Sequence, residues 1–342
     1  MTDFKLNCPV PFDNSGHITM AHGGGGKVMN QLIQNLFQST LSNDVLDQLH
    51  DGAILEMGNT KLAFSTDSFV IDPLFFPGGD IGSLSVHGTV NDVAMCGAIP
   101  KYLSLAIILE EGFPIADLER IVHSIKLASE KAGVDVVTGD TKVVDKGKGD
   151  GIYINTAGIG EVIPGVNISP QNVKPGDAVV ISGDIGRHSI AIMAVREGLK
   201  FSTTIKSDSM AVNHQVKSII DAGVSPHCFR DLTRGGLASA LVEISQSAQV
   251  HIQLEEEAIP ILDEVRGACE IMGFDPIYLA NEGRFISFVS PDDVDGVLSA
   301  IPDAIRIGYV LSSGKAKVTM VQPFGPEKIV DMISGEQLPR IC

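Results

Sequence analysis

The chain has 342 residues, 44% of them apolar, which suffices for about two domains, and its 36 glycines follow no collagen-like period. A net charge of −17, 5% aromatic residues and no tryptophan exclude a nucleic-acid partner, because phosphate backbones demand basic patches. Five cysteines (8, 96, 228, 269 and 342), odd in number and never spaced C-x-x-C, exclude a disulfide framework and a structural zinc site.

The N-terminus has neither a basic start nor an apolar core, and no apolar run has the length of a membrane span, so a cytoplasmic protein without membrane contact is expected. His22-Gly23-Gly24-Gly25-Gly26-Lys27 precedes Val28, Leu32, Ile33 and Leu36 at helical spacing, so the glycines open a helix whose free N–H groups suit an anion. This is no Walker A loop: Ala21 stands for the first glycine and Val28 for the Ser/Thr that would touch magnesium. A flexible connector fits the same residues. Lys61 to Ser68 reads as a strand ending in the acid Asp67. A helix follows over Ser85 to Ala98, with His87, Asn91 and Asp92 near one face. Tyr102–Leu109 is a strand, and an amphipathic helix over Ile115–Ala132 starts after Pro114 and stops at Gly133. The strand from Val134 runs into Gly139-Asp140-Thr141-Lys142, and another covers Ile152 to Ala157. Asp67, Asp92 and Asp140 thus stand at three separate element ends, each beside small residues. That pattern fits magnesium, which needs only one or two carboxylates beside substrate phosphates; turn capping is the plainer use of each acid alone.

The turn-rich stretch 167–176 reads as a linker. Beyond it come a strand at Ala178–Ser182, a Gly183-Asp184-Ile185-Gly186 turn and helices at about Arg187–Glu197 and Ser209–Asp221. Asp231-Leu232-Thr233-Arg234-Gly235-Gly236 opens a further helix through about Ser247, and Asn281-Glu282-Gly283-Arg284 precedes a strand over Phe285–Val289. Alternating elements make the fold class α/β (α+β). The segment from Ser334 shows no periodicity and ends in Pro339-Arg340-Ile341-Cys342. Eight residues from Gly335 onward reach about 26 Å when extended, enough to carry a terminal thiol into a cleft. A frayed end that happens to finish in cysteine fits equally well.

The His-Gly-Gly-Gly-Gly loop, Ser65-Thr66-Asp67, Val90 to Ala98 and Gly139 to Lys142 together resemble the N-terminal domain of the aminoimidazole ribonucleotide synthetase (PurM-like) superfamily. Asp231 to Gly236 and Ala280 to Arg284 extend the resemblance over the whole chain. The terminal Pro-Arg-Ile-Cys342 is similar to the hydrogenase-maturation branch of that superfamily. The selenophosphate branch, the nearest rival, places its reactive residue near the N-terminus, and Cys8 lacks the Gly/Cys/Lys surroundings expected there.

The resemblance implies a two-domain PurM-like fold. A mixed N-terminal sheet (1–165) binds ATP and forms a homodimer, an α/β domain (166–333) follows, and a mobile tail (334–342) carries the cysteine. It implies ATP-dependent dehydration of an S-carbamoyl group on Cys342 to a thiocyanate, the source of cyanide for the iron of [NiFe]-hydrogenase. Glu282 is expected as base, with Lys142 stabilising negative charge. Asp67, Asp92, Asp140 and Asp231 are expected around Mg2+, and Gly24, Gly25, His87, Asn91 and Thr141 near the nucleotide. The implied partners are the carbamoyltransferase HypF and a HypC–HypD complex. The strands at Leu62–Thr66 and Tyr102–Leu109 are expected to offer edges and apolar faces to the second copy.

Overall fold

Period-two stretches of the first half become a five-stranded sheet in a computed structural model, which describes residues 17–199, 205–334, 338 and 340–342. Cys8, Gly335 and Pro339 lie outside the described residues. The sheet runs β1 (Ala53–Met57), β2 (Thr60–Phe69), β5 (Ile152–Val162), β3 (Ala98–Glu110) and β4 (Asp135–Val144), with only β3 and β4 parallel. Two expectations are corrected here. Asp67 lies inside β2, which continues through Phe69, because Asp67 to Phe69 still pair with Thr156 to Ile154. The strands at 62–66 and 102–109 are interior, since β5 inserts antiparallel between them; the edges are β1 and β4.

One face of this sheet is covered by α2 (Ile81–Met95) and α3 (Ile115–Ala132). Asp80 caps α2 by accepting from the Gly82 and Ser83 N–H groups at 2.8 and 3.0 Å, the local pattern that starts a helix. A Cβ on Gly82 would stand 2.5 Å from the Ile121 carbonyl oxygen, so the two helices meet only because that residue is glycine. The other face of the sheet is open and carries a cross-strand apolar row, Phe64, Ile159 and Tyr102.

The second half builds a seven-stranded sheet ordered β12 (Lys328–Val330), β11 (Lys317–Val321), β8 (Val250–Glu255), β10 (Ile305–Ser313), β6 (Ala178–Ile181), β9 (Phe285–Val289) and β7 (Cys228–Asp231). β6 is apolar throughout and buried on both faces. Val179 and Ile181 pack beneath α6 (Gly236–Ala248), while Ala178 and Val180 face α5 (Asn213–Asp221) and α8 (Val294–Ala300). The helix expected from Ser209 begins only at Asn213, because the stretch before it bonds across to the first half. The glycine loop opens α1 (Lys27–Leu32), which continues as a wider turn over Ile33–Gln38.

Candidate active site

Five carboxyl groups from five places in the chain meet in one cavity of about 240 Å³. Asp67 comes from β2, two residues after Ser65 and so on the same face of the strand. Asp92 comes from the buried helix α2 and accepts a hydrogen bond from the Ser65 hydroxyl at 2.6 Å. Asp231 ends β7, and Glu282 stands just before β9, which pairs with β7 through Phe285 and Asp231. Asp51 precedes β1 and is ion-paired to Arg230. Thr66, Thr233, Arg234 and Cys342 complete the lining.

The loop that presents Glu282 is held rigidly. Asn281 accepts from the Gly186 N–H at 2.7 Å and donates to the Leu232 and Leu279 carbonyls at 3.2 and 2.9 Å. The Glu282 N–H donates to Asp208. Gly283 runs so close to the Asp208 backbone that any side chain there would collide. Glu282 is 2% exposed, and its Oε1 is buried without a partner, as is Oδ2 of Asp51.

Burial raises the pKa of Asp67, and of Asp92 more strongly, with repulsion from Asp231, Asp67 and Asp51 adding to the latter. Asp231 is pushed up to about 8, by burial and then by Asp51. Glu282 is held well above the usual carboxylate range by burial and by Asp67, Asp231 and Asp208. Arg234, facing Cys342 and the acids, opposes the shifts of Asp67 and Glu282, and Arg230 opposes that of Asp231. So many raised carboxyl groups against two guanidinium groups form a site that lacks positive charge. Among the described residues no three His, Cys, Asp or Glu side chains are arranged to hold a metal by themselves. The orphaned carboxylate oxygens nonetheless fit magnesium, an oxygen-seeking ion that takes part of its shell from phosphates and water.

Cys342 reaches this cavity from the far end of the sequence. One oxygen of its terminal carboxylate accepts from the Val70 N–H at 3.0 Å, and Ile341 is buried in the core of the first half. Burial and the nearby Glu282 push the docked thiol far above its ordinary pKa. It is therefore a protonated, weak nucleophile in this position.

The remaining expected residues lie elsewhere. Gly24 lines the small cavity around the tail. Gly25, at φ +73°, abuts Arg234 where a Cβ would come within 2.6 Å, and it borders an adjoining cleft of about 520 Å³ between α1 and α6. His87 pairs with Ser209 at 3.0 Å, and burial lowers its pKa to about 4. The Asn91 amide donates to the Met210 carbonyl and accepts from the Val212 N–H. Both residues thus brace α2 against the second half and neither lines the acid cavity. Asp140, Thr141 and Lys142 sit on exposed edge strand β4, where Lys142 pairs with Asp140 at 2.8 Å. Sequence reasoning missed Asp51: a single acid before a glycine carries no spacing signal. It also read Arg234 as part of a helix start, although its Thr-Arg-Gly-Gly setting was visible.

Two family models match the chain: AIR synthase related protein, N-terminal domain, over residues 49–162, and its C-terminal domain over 174–321. The carbamoyl dehydratase HypE of Azotobacter vinelandii is 49% identical over 334 residues, 96% of this chain and 98% of that protein. A chain in the crystal structure of a HypE–HypF complex is 45% identical with a TM-score of 0.83, covering 88% of this chain and 99% of that one. The hydrogenase maturation protein HypE in complex with ATP is 43% identical with a TM-score of 0.80, covering 95% and 100%.

Proposed function

The chain belongs to the HypE carbamoyl dehydratases of the AIR synthase related family, and from this we propose that it dehydrates a carbamoyl group carried on its own Cys342, at the expense of ATP, to a thiocyanate. The observation that carries this reading is the terminal thiol standing in the same cavity as Glu282, Asp67, Asp92 and Asp231. Domain limits of 1–165 and 166–333, with the tail beyond, fit the gap between the end of β5 at Val162 and the start of β6 at Ala178.

The chemistry must expel an oxygen that is a poor leaving group. The carbamoyl oxygen of S–C(=O)–NH2 attacks the γ-phosphorus of ATP and ADP leaves. One N–H proton departs to give S–C(=NH)–O–phosphoryl. Loss of the second N–H proton then breaks the C–O bond, releasing phosphate and leaving S–C≡N. Glu282, a buried carboxylate with one unpartnered oxygen, takes a proton from that nitrogen. Arg234 lies where negative charge collects on the transferring group. Asp67, Asp92 and Asp231 would hold magnesium, whose charge would neutralise the phosphates and let the surrounding acids ionise. The glycine loop at Gly24 and Gly25 and the 520 Å³ cleft beside it take the nucleotide.

The docked thiol is too poor a nucleophile to accept a carbamoyl group in place, so acceptance from HypF happens with the tail outside and dehydration with the tail inside. The relative in complex with HypF supports that partner; the cyanide then passes to a HypC–HypD scaffold. No helix among the described residues is long and apolar enough to cross a membrane. The free, buried Cys96, Cys228 and Cys269 suit a reducing cytoplasm.

Asp92→Asn is expected to keep the fold and lose magnesium-nucleotide binding and dehydration. Calorimetric titration giving wild-type affinity for magnesium and nucleotide in the variant would settle the matter against a metal role.

We place a second copy on the open face of the first sheet, where Tyr102 and Ile159 are 50% and 40% exposed in one apolar row. The exposed edge strand β4 would bring Asp140, Thr141 and Lys142 to that interface. Light scattering is expected to give a dimer for the wild type and a monomer for Tyr102→Glu/Ile159→Glu. A wild-type monomer at micromolar concentration with full activity would exclude this arrangement.

A further inference from the structure

The last three residues are held from both halves of the chain. From the first half, the Val70 and Asp72 N–H groups donate to the terminal carboxylate of Cys342 and the Arg340 carbonyl at 3.0 and 3.3 Å. Arg340 Nε donates to the Val70 carbonyl at 2.9 Å, and its guanidinium pairs with Asp150. From the second half, the hydrogen bonds to the tail's main chain come, among the described residues, from one helix. Helix α4 (Arg187–Arg196) places His188, Ile192 and Arg196 at i, i+4 and i+8, a single stripe. His188 Nε2 lies 2.7 Å from the Ile341 carbonyl oxygen. Arg196 Nη2 donates to the Arg340 carbonyl at 2.8 Å and also to the Asp72 carbonyl. Ile192 shares an apolar cluster with Ile341.

A carbonyl only accepts, so Nε2 of His188 carries the proton and Nδ1, 2.8 Å from the Ser207 hydroxyl, accepts from it. His188 is fully buried, and burial keeps its pKa below the ordinary value and the ring neutral. Without this donor the Ile341 carbonyl would lose its hydrogen bond to the helix.

We infer that the stripe His188, Ile192 and Arg196 on α4 is the receptor for the chain terminus, reading the main-chain carbonyls of residues 340 and 341 and the side chain of Ile341, and so positioning Cys342 in the acid cavity. The inference rests on the reading in which Cys342 carries the carbamoyl group. His188 and Arg196 are positioning residues that act through the tail. Because the receptor contacts backbone and not the thiol, it accepts the free, carbamoylated and thiocyanate forms alike. Because Ile341 is the tail's one buried apolar anchor among these three residues, the tail can still leave for its donor. Holding the reacting group in place is worth a large part of such a barrier.

The test is alkylation of Cys342 by iodoacetamide in the folded full-length chain, read by mass on the C-terminal peptide, with circular dichroism as the fold check. His188→Leu is expected to alkylate about tenfold faster than wild type, the cost of one buried hydrogen bond. Dehydration of the carbamoylated chain should slow, by less than that factor while the docked form still predominates, and carbamoyl acceptance, which takes the undocked tail, should not fall. His188→Gln, whose amide nitrogen falls where Nε2 stood, should return both rates to near wild type. Ile341→Ser attacks the receptor's other contact, the side-chain packing of Ile341 with Ile192, from the tail, and should move both rates in the same directions as His188→Leu. Unchanged alkylation in both His188→Leu and Ile341→Ser overturns the receptor. Faster alkylation with an unaltered dehydration rate overturns instead the placement of the reaction in this cavity.

Discussion

Incubated with HypF, carbamoyl phosphate and ATP, the chain is expected to gain one carbamoyl group on the peptide ending in Cys342. Continued ATP turnover should then remove one water from that same peptide. Cys342→Ala should abolish both steps and spare nucleotide binding, because the glycine loop and the acids other than Glu282 do not depend on the thiol. Extending the chain beyond Cys342 by several bulky residues separates the two steps. The thiol can still be carbamoylated outside, but Ile341 is buried and Cys342 sits in a small cavity, so the longer tail should dehydrate poorly. A carbamoyl group mapped to Cys8, Cys96, Cys228 or Cys269 would sink the proposal. Wild-type dehydration by the extended chain would show that the tail does not act from the docked position.

Glu282→Gln should lower the dehydration rate by about 10²- to 10⁴-fold, the usual worth of a general base. The carbamoyl adduct on Cys342 should accumulate, because acceptance takes place elsewhere. An accompanying change in stability gives the substitution a second signature. The folded-state pKa of Glu282 lies above its unfolded value of about 4.3. Its contribution is therefore fully present below that pH and is lost as pH rises through the raised value. Asp231, pushed up to about 8, acts in the same direction. The melting temperature of the metal-free wild type should fall between about pH 5 and about pH 8, and Glu282→Gln should flatten part of that fall. A Gln variant that dehydrates at the wild-type rate would remove Glu282 from the chemistry. An equally steep pH dependence would show that its carboxyl group is not held neutral in the folded chain.

Local signals settled the elements. Pro114 and Gly133 bound their helix at the limits observed, and the apolar run 178–181 and the run 285–289, broken only by Ser287, became interior strands because a doubly covered strand can be almost continuously apolar. The sequence also singled out Asp67, Asp92, Asp231, Glu282 and Cys342, through residue type, nearby glycines and family resemblance. It left their meeting undecided, because the spacing from Asp67 to Cys342 holds no information about which strand ends become neighbours. Only the antiparallel pairing of β7 with β9 puts Asp231 beside Glu282. Only the insertion of β5 removes the expected strand edges and leaves β4 exposed. His87 and Asn91 carried the same polar signal as a ligand site, yet the packing of α2 turned them to bracing contacts with residues 209–212. Asp51 and the His188 stripe needed the fold altogether: burial, repulsion between neighbouring carboxylates and a carbonyl in want of a donor are properties of packed chains, and no local pattern encodes them.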